Sequence, residues 1–154
     1  MIAKRLTPEE AMARAEALCV RAEHCSGEIV QKLYRWGITP SDSERIIDSL
    51  IDRRFIDDRR FAAAFVRDKV EYAAWGRRKI ALALAAKRLD RDIVAEALEG
   101  IDPEVYAARL AKVLDSKRRS LPEPDTADGR ARLFRYAVAR GFEPSLVADM
   151  LRRR

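Results

Sequence analysis

The spacing of apolar and polar residues along the chain predicts α-helices. In the run FIDDRRFAAAFVRDKV at 55–70, Phe61, Phe65 and Val66 fall on one side of a helix, as a stripe that packs into a core does. No stretch alternates apolar and polar residues over a useful length, as a half-buried strand would. Alanine is abundant and aromatic residues make up 7% of the chain, which also favours helix over sheet. We therefore predict an all-α fold.

Capping residues and glycines divide this pattern into nine segments. Thr7-Pro8-Glu9-Glu10 supplies an N-cap, a proline at the first helical position and a capping-box glutamate. Gly37 and Gly141 fit the position just past a helix end, where the backbone is left-handed. The other candidate caps are Ser26, Thr39 or Ser41, Asp57, Asp90 and Asp102. The predicted helices are 7–24, 26–36, 41–53, 58–73, 76–87, 90–99, 103–118, 127–140 and 144–153.

The nine segments follow one another as three copies of a three-helix unit. When Gly37, Arg88 and Gly141 are aligned, apolar residues recur at shared offsets, which indicates the shared packing of a tandem repeat. These residues are Ile29, Ile80 and Leu133 eight positions before, Leu33, Leu84 and Ala137 four before, Ile38, Leu89 and Phe142 one after, and Ile47, Leu98 and Leu151 ten after. The predicted units are 1–56, 57–101 and 102–154, the last with a proline-containing loop near 119–126.

Positive charge is concentrated in the middle of the chain. The whole sequence has 31 Lys and Arg against 25 Asp and Glu, a net charge of +6. Residues 52–91 hold twelve basic and six acidic residues, and the remaining nineteen of each sign cancel. This concentration predicts a polyanion or an acidic protein surface as the partner. The alternative is a solvated helical surface that is merely rich in arginine.

Cysteine usage and hydropathy indicate the cellular compartment. Cys19 and Cys25 are too few for a disulfide framework and form no CxxC motif, which favours a reducing cytosol. No apolar stretch approaches the ~20 residues that a membrane-spanning helix needs. The first residues, MIAKRLTPEE, lack the hydrophobic region of a secretory signal. We expect a cytoplasmic monomer that makes no contact with membranes.

The adjacent acids Asp57 and Asp58 have three interpretations: a metal site, an acid–base catalyst or a helix start. Metal binding needs further ligands, but the single histidine, His24, lies in another unit and the cysteines lack zinc-ligand spacing. Catalysis needs a second titratable group in a pocket, and no phosphate loop or Ser/His/Asp set occurs. We predict that Asp57 is an N-cap and that Asp58 lies in the first turn. No metal, cofactor or enzymatic activity is predicted.

Basic side chains then remain as the candidate functional residues. They are Arg59, Arg60, Arg67, Lys69, Arg77, Arg78, Lys79 and Lys87, with Arg130, Arg132 and Arg135 on the eighth helix. In the run WGRRKI, arginines at a helix start can bind a phosphate or carboxylate together with free backbone amides. Trp75 either stacks on a base or packs against the helix, and packing is the favoured interpretation. No helix carries Asn or Gln near its start in a basic context, which argues against base-specific reading.

These residues resemble the signature of the RecX regulatory proteins. In that family a hydrophobic-Asp-Asp-x-Arg-Phe-Ala run leads a helix and is followed by a glycine with basic residues, as in FIDDRRFAAAFVRDKV and WGRRKIALALAAKRLDRDIVAEAL. SGEIVQKLYRWGI is similar to the first repeat of the family, and GRARLFRYAVARGFEPSLVADML to its C-terminal repeat. The resemblance covers about residues 15–152. One departure is Lys87-Arg88-Leu89, where the family usually has Lys-Gly before the hydrophobic residue.

The resemblance implies both a fold and a function. The fold is three tandem three-helix repeats in an elongated, curved arrangement, with Asp57, Asp58, Phe61, Phe65 and Gly76 as structural signature residues. The function is binding to the RecA filament on DNA and inhibition of its ATPase and strand-exchange activity, which modulates recombination, DNA repair and the SOS response. Weak, non-specific contact with single- or double-stranded DNA is also implied. The alternative is a sequence-independent nucleic-acid-binding helical module that acts without RecA.

Overall fold

The computed structural model describes residues 5–153, and this part of the chain forms nine α-helices and no strand. The helices are α1 (Pro8–Arg21), α2 (Ser26–Arg35), α3 (Pro40–Asp52), α4 (Asp58–Glu71), α5 (Arg77–Ala86), α6 (Arg91–Glu99), α7 (Pro103–Ser120), α8 (Ala127–Ala139) and α9 (Pro144–Arg152). All of the predicted helices are present. The largest difference is at the end of α1, because Ala22 adopts an extended backbone (φ −160°, ψ 154°) that turns the chain toward α2.

Side-chain caps begin most of these helices, as the sequence predicts. The capping box of α1 is confirmed, since the Thr7 hydroxyl accepts from the Glu10 amide at 3.1 Å and the Glu10 carboxylate accepts from the Thr7 amide at 3.2 Å. Asp57 is the N-cap of α4 and accepts from the amide of Arg60 at 3.0 Å. Thr39, Asp102 and Thr126 cap α3, α7 and α8 in the same way.

Two of the predicted caps differ from the structure. Asp90 occupies the N-cap position of α6, but its side chain makes no capping bond. Ser26 is not the N-cap of α2, because that position belongs to Cys25, and Ser26 is the first helical residue. Its amide and hydroxyl both donate to the carboxylate of Asp58, at 2.7 and 2.5 Å.

The turn after the second helix of each unit is left-handed. Gly37, Arg88 and Gly141 have φ values of 79°, 62° and 99°, at the three positions that the repeat alignment makes equivalent. Glycine adopts this backbone without a steric penalty, whereas Arg88 carries a cost of about 1 kcal/mol. The turn is therefore kept in the second unit despite the loss of its glycine.

The helices bury their apolar faces in two hydrophobic clusters. One lies among α1, α2 and α3 and is built from Ile29, Leu33, Ile46, Leu50 and neighbouring residues. The other extends continuously from α4 to α9, and Cys25 from the start of α2 joins it. Units two and three therefore share one core, while the first unit has its own. The predicted unit boundaries both fall between helices and remain predictions.

The molecule exposes more surface than a compact protein of its mass. Its accessible surface is 10041 Å², whereas a globular monomer of 17.6 kDa would expose about 7,900 Å². A chain of units that contact only their neighbours along one direction has such an excess. The arrangement is therefore elongated.

Candidate partner and nucleic-acid interface

Consecutive units contact each other at two equivalent joints. The first joint lies between units one and two, and the second lies between units two and three. At the second joint, α5 begins against the turn that follows α8: the Gly76 amide donates to the Arg140 carbonyl at 2.8 Å, and the Arg78 amide to the Gly141 carbonyl at 3.0 Å. At the first joint, α2 begins against the turn that follows α5, and a Cβ atom on Gly27 would lie 2.0 Å from the Lys87 carbonyl oxygen. Both joints require backbone-to-backbone contact, which fixes the direction in which the second helix of each unit points.

The two joints also share a capping scheme between units. The amide of the first residue of α2, and likewise of α5, donates to a side chain from the first helix of the next unit. Asp58 binds Ser26 at the first joint, and the Tyr106 hydroxyl accepts from the Arg77 amide at 2.9 Å at the second. Asp58 thus has a further role beyond the predicted first-turn position, since it joins two units.

Arg77 lies in a cluster of polar side chains at the second joint. Its guanidinium pairs with Glu143 at 2.8 Å and stacks 3.9 Å from the centroid of the Tyr106 ring, while the Tyr106 hydroxyl donates to Glu143. Burial alone would raise the pKa of Glu143, but hydrogen bonds from Tyr106 and Arg77 outweigh it and lower the pKa. Burial and the bond to Glu143 raise the pKa of Tyr106. Arg77 is therefore engaged within the protein.

Glu143→Gln is expected to weaken the acid dependence of stability. Because the pKa of Glu143 is lowered on folding, its stabilisation is fully present above the unfolded value of about 4.3 and is lost as the pH falls through the lower folded value. The variant should lose roughly 1–3 kcal/mol at neutral pH and show a smaller further loss on acidification. Urea unfolding at a series of pH values measures this, and parallel pH profiles for the two proteins would contradict it.

Three lysines converge on an aromatic surface between α4 and α5. We call Lys69, Lys79 and Lys87 the lysine cluster. The Lys69 and Lys79 ammonium groups lie 4.9 and 4.5 Å from the Trp75 ring centroid, and Lys87 lies 5.9 Å from that of Phe65. Lys69 also lies 5.2 Å from Phe65. Trp75 is partly buried against the core, in agreement with the packing interpretation.

Two of the three lysines in the cluster have a carboxylate nearby. Lys87 pairs with Glu28 at 3.0 Å, and Lys69 lies 3.8 Å from Asp68. Lys79 makes no ion pair with any residue from 5 to 153. Burial would raise the pKa of Glu28, but the Cys25 amide and Lys87 bind the carboxylate and lower the pKa. Positive charge on a half-buried aromatic surface can bind phosphate or carboxylate groups.

The arginines predicted on α4 do not share this surface. Arg59 pairs with Glu96 at 3.1 Å, and Arg60 with Glu23 at 2.8 Å. Arg59 and Arg67 line a groove of about 390 Å³ between α4, α6 and the start of α7, whereas Lys69 lies over the Trp75 ring. The candidate residues of this helix are thus divided between two sides.

The remaining predicted residues lie elsewhere on the molecule. Arg78 is exposed beside the second joint. On α8, Arg130, Arg132 and Arg135 are exposed, and Arg132 pairs with Asp128 at 2.9 Å. The structure therefore brings together three of the predicted basic residues and separates the others, and the binding role of each stays a prediction.

Sequence reasoning missed three further cations that the fold places beside Lys87. Lys32 and Arg35 on α2 and Arg88 after α5 line a groove at the first joint. Lys32 and Arg35 are three residues apart on one helix, and residues at this spacing lie on the same face. That spacing was the signal in the sequence that indicated a shared basic surface. Neither lies within the basic segment 52–91, so composition alone gave no reason to include them.

The described residues contain neither a membrane-spanning helix nor a cluster of metal-ligating side chains. No helix in 5–153 is long and apolar enough to cross a membrane. Within the same range, no three His, Cys, Asp or Glu side chains are grouped as ligands of a metal ion.

Burial raises the pKa of Cys25 to about 11, so its thiol is protonated at neutral pH.

The chain is similar to known proteins along nearly its whole length. Residues 57–98, which include the lysine cluster, match the family profile described as RecX, second three-helix domain. Regulatory protein RecX of Chromohalobacter salexigens is 32% identical over 140 residues, which cover 90% of each chain. The chain belongs to the RecX family. Regulatory protein RecX of Mycobacterium ulcerans is 28% identical over 143 residues, covering 90% of this chain and 83% of the relative.

Solved structures of RecX share the fold. The crystal structure of RecX from Lactobacillus salivarius superposes with a TM-score of 0.86 at 18% identity, covering 95% of this chain and 94% of that one. A second crystal structure of a regulatory protein RecX has a TM-score of 0.82 and 22% identity and covers 96% of this chain. The predicted fold of three tandem three-helix repeats in an elongated, curved arrangement is confirmed. RecX relatives are named regulatory proteins, which fits a regulatory role for this chain.

Proposed function

We propose that this RecX protein binds the RecA–DNA filament in the cytoplasm and inhibits its ATPase and strand-exchange activity. It acts as a monomer and by binding, without catalysing a reaction of its own. In this way it limits recombination and modulates DNA repair. The partners are the RecA protein and, more weakly and without sequence preference, the DNA that the filament contains.

The lysine cluster is the observation that carries this proposal. It lies in the unit that matches the family profile. Two carboxylates lie near its three ammonium groups, that of Glu28 at 3.0 Å from Lys87 and that of Asp68 at 3.8 Å from Lys69, and Lys79 pairs with none among residues 5–153. A filament of protein on DNA presents both carboxylates and phosphates, and cations held over aromatic rings bind either. The elongated shape lets one molecule contact several positions along a filament.

The test is a titration of the single-stranded-DNA-dependent ATPase of the cognate RecA with this protein, with binding to bare DNA followed in parallel. Suppression well below the concentration that coats the DNA supports the filament as the target. Suppression that appears only at saturation of the DNA would instead mean competition for phosphate.

The second candidate function is a nucleic-acid-binding helical module that needs no recombinase. The groove beside Lys87, with its four cations, favours it. It predicts direct binding to bare DNA or RNA with a strong salt dependence, the logarithm of the binding constant falling by about 0.7 to 0.9 per phosphate neutralised. A RecA ATPase unaffected at concentrations that bind DNA would favour this function over the first.

A further inference from the structure

A basic groove of about 490 Å³ lies between α2 and α5 at the first joint. Four cations line it: Lys32 and Arg35 from α2, and Lys87 and Arg88 from the end of α5 and its turn. The single lining carboxylate, Glu28, is already paired with Lys87 at 3.0 Å. The groove therefore carries a net charge of +3, and within residues 5–153 no ion pair neutralises Lys32, Arg35 or Arg88.

The apolar part of the groove lining consists of small residues. Gly27, Ala83 and Ala86 lie between the basic walls. Protein partners usually insert a large apolar or aromatic anchor into a fitted pocket, and small residues offer such an anchor little to pack against. They do let a chain of sugars and phosphates approach the helices closely. The charge and the small residues together favour a nucleic-acid strand over an acidic protein segment.

An exposed tyrosine lies on α2, the helix that supplies Lys32 and Arg35 to the groove. Tyr34 precedes Arg35 on α2, and 82% of its surface is exposed. A tyrosine this exposed gains little from packing, but a base that is free of a duplex can stack on it. Viewed down the axis of α2, the side chains of Tyr34 and Arg35 point about 100° apart. Bases could therefore stack on Tyr34 while Arg35 holds the phosphodiester backbone of the same strand.

We propose that this groove binds the phosphodiester backbone of single-stranded DNA, with Lys32, Arg35 and Arg88 as the phosphate-binding residues. The assignment rests on the proposed function for its biological context, and it makes that function more specific. It divides the basic surface into a DNA-binding groove and the lysine cluster. Lys87 belongs to both and connects them. Binding of bare single-stranded DNA requires no RecA, so the groove can be tested separately from filament inhibition.

The first experiment compares the double variant Lys32→Gln/Arg35→Gln with the parent protein. The probe is a fluorescein-labelled oligothymidylate, and binding is followed by anisotropy over a series of salt concentrations. Loss of two phosphate contacts should weaken binding roughly tenfold and lower the salt slope by about 1.4, at 0.7 per contact. Neither side chain has a partner in the described structure, so circular dichroism should show a folded protein.

The matched control removes the same charge from another unit. Lys112 and Arg119 are exposed on α7, and Lys112→Gln/Arg119→Gln should leave affinity within about twofold of the parent, since distant surface charges are screened. Equal weakening by the two double variants would overturn the proposal, because only net charge would then matter. Absence of measurable binding by the parent protein would overturn it as well.

A second pair of variants tests the groove by adding charge. Ala86 lines the groove and Ala85 does not, yet both are exposed in the last turn of α5. Ala86→Glu should weaken oligothymidylate binding roughly tenfold, whereas Ala85→Glu should leave it nearly unchanged. Equal effects of the two glutamates would contradict the placement of DNA in the groove.

The RecA assay separates failure of this inference from failure of the proposed function. If Lys32→Gln/Arg35→Gln binds DNA as the parent does but no longer suppresses RecA ATPase, the groove holds protein carboxylates and the inference is wrong while the function stands. If DNA binding is lost as expected and the parent protein never suppresses RecA, the inference stands and the function is wrong. Competition by polyglutamate as strong as by unlabelled oligothymidylate at equal charge concentration would also overturn the groove assignment.

Discussion

Replacing Gly76 by alanine is expected to lower the free energy of unfolding by about 3 kcal/mol or more. A Cβ atom on Gly76 would lie 2.2 Å from both the Gly141 carbonyl carbon and the Phe142 nitrogen. These are backbone atoms of the turn that also accepts the Gly76 amide bond at Arg140, so no side-chain rotation can relieve the overlap. The second joint would have to open, and the core shared by units two and three would open with it. Urea unfolding followed by far-ultraviolet circular dichroism measures the loss.

Gly100→Ala is the control for this change. Gly100 has a helical backbone (φ −73°), and the nearest atoms to an added Cβ are carbonyl oxygens of its own helix, at 3.3 and 3.8 Å. Alanine should leave stability unchanged or raise it by up to about 1 kcal/mol, because it restricts the unfolded chain. A similar loss in the two variants would mean that the glycine content of the unit matters and the joint does not. A stable Gly76→Ala protein would contradict the importance of the joint directly.

The helices could be predicted from the sequence because their determinants are local. The capping box of Thr7 and Glu10 acts over three residues, and the apolar stripe of Phe61 and Phe65 over four. The repeat was visible for a related reason, since each unit uses the same left-handed turn. Arg88 shows how strong that constraint is, because the turn persists without glycine.

The joints could not be predicted because their contacts join distant parts of the chain. Asp58 has the sequence of an ordinary first-turn acid, yet it binds Ser26, which lies 32 positions earlier. The predicted cap at Ser26 was wrong because Cys25 holds the N-cap position and Ser26 is already helical. Gly76 was expected as a signature residue from family resemblance, but its physical role appears only when the turn at Gly141 is placed against it.

The sequence predicted which unit carries the positive charge of the candidate site, but it predicted only part of how the basic side chains are arranged. The excess of lysine and arginine at 52–91 pointed to the unit that carries the lysine cluster. Which cations have carboxylate partners depends on other units: Arg77 is paired with Glu143 of the third, and Arg60 with Glu23 of the first. A sequence gives no sign of such pairing, because the partners are 66 and 37 positions away.

Reversing the charges of Lys69 and Lys79 is expected to raise the concentration of this RecX protein needed to half-suppress RecA ATPase by about tenfold or more. Both ammonium groups lie against the Trp75 ring, at 4.9 and 4.5 Å, so Lys69→Glu/Lys79→Glu replaces two positive charges by two negative ones at one place. An anionic partner surface would then face like charge, which costs several kcal/mol at an interface. The measurement is the ATPase titration with the double variant and the parent protein.

The fold should survive this change, which makes the functional result interpretable. Each lysine–aromatic contact contributes about 0.5–1 kcal/mol at a partly exposed site, and within residues 5–153 neither ammonium group makes an ion pair with another unit. Lys112→Glu/Arg119→Glu makes the same change in net charge on α7 and should suppress RecA as the parent does. If the Lys69→Glu/Lys79→Glu protein is folded and also suppresses RecA like the parent, the lysine cluster is not the partner-binding surface. The exposed arginines Arg78, Arg130 and Arg135 would then be the cations to test next, since within residues 5–153 none of them pairs with a carboxylate.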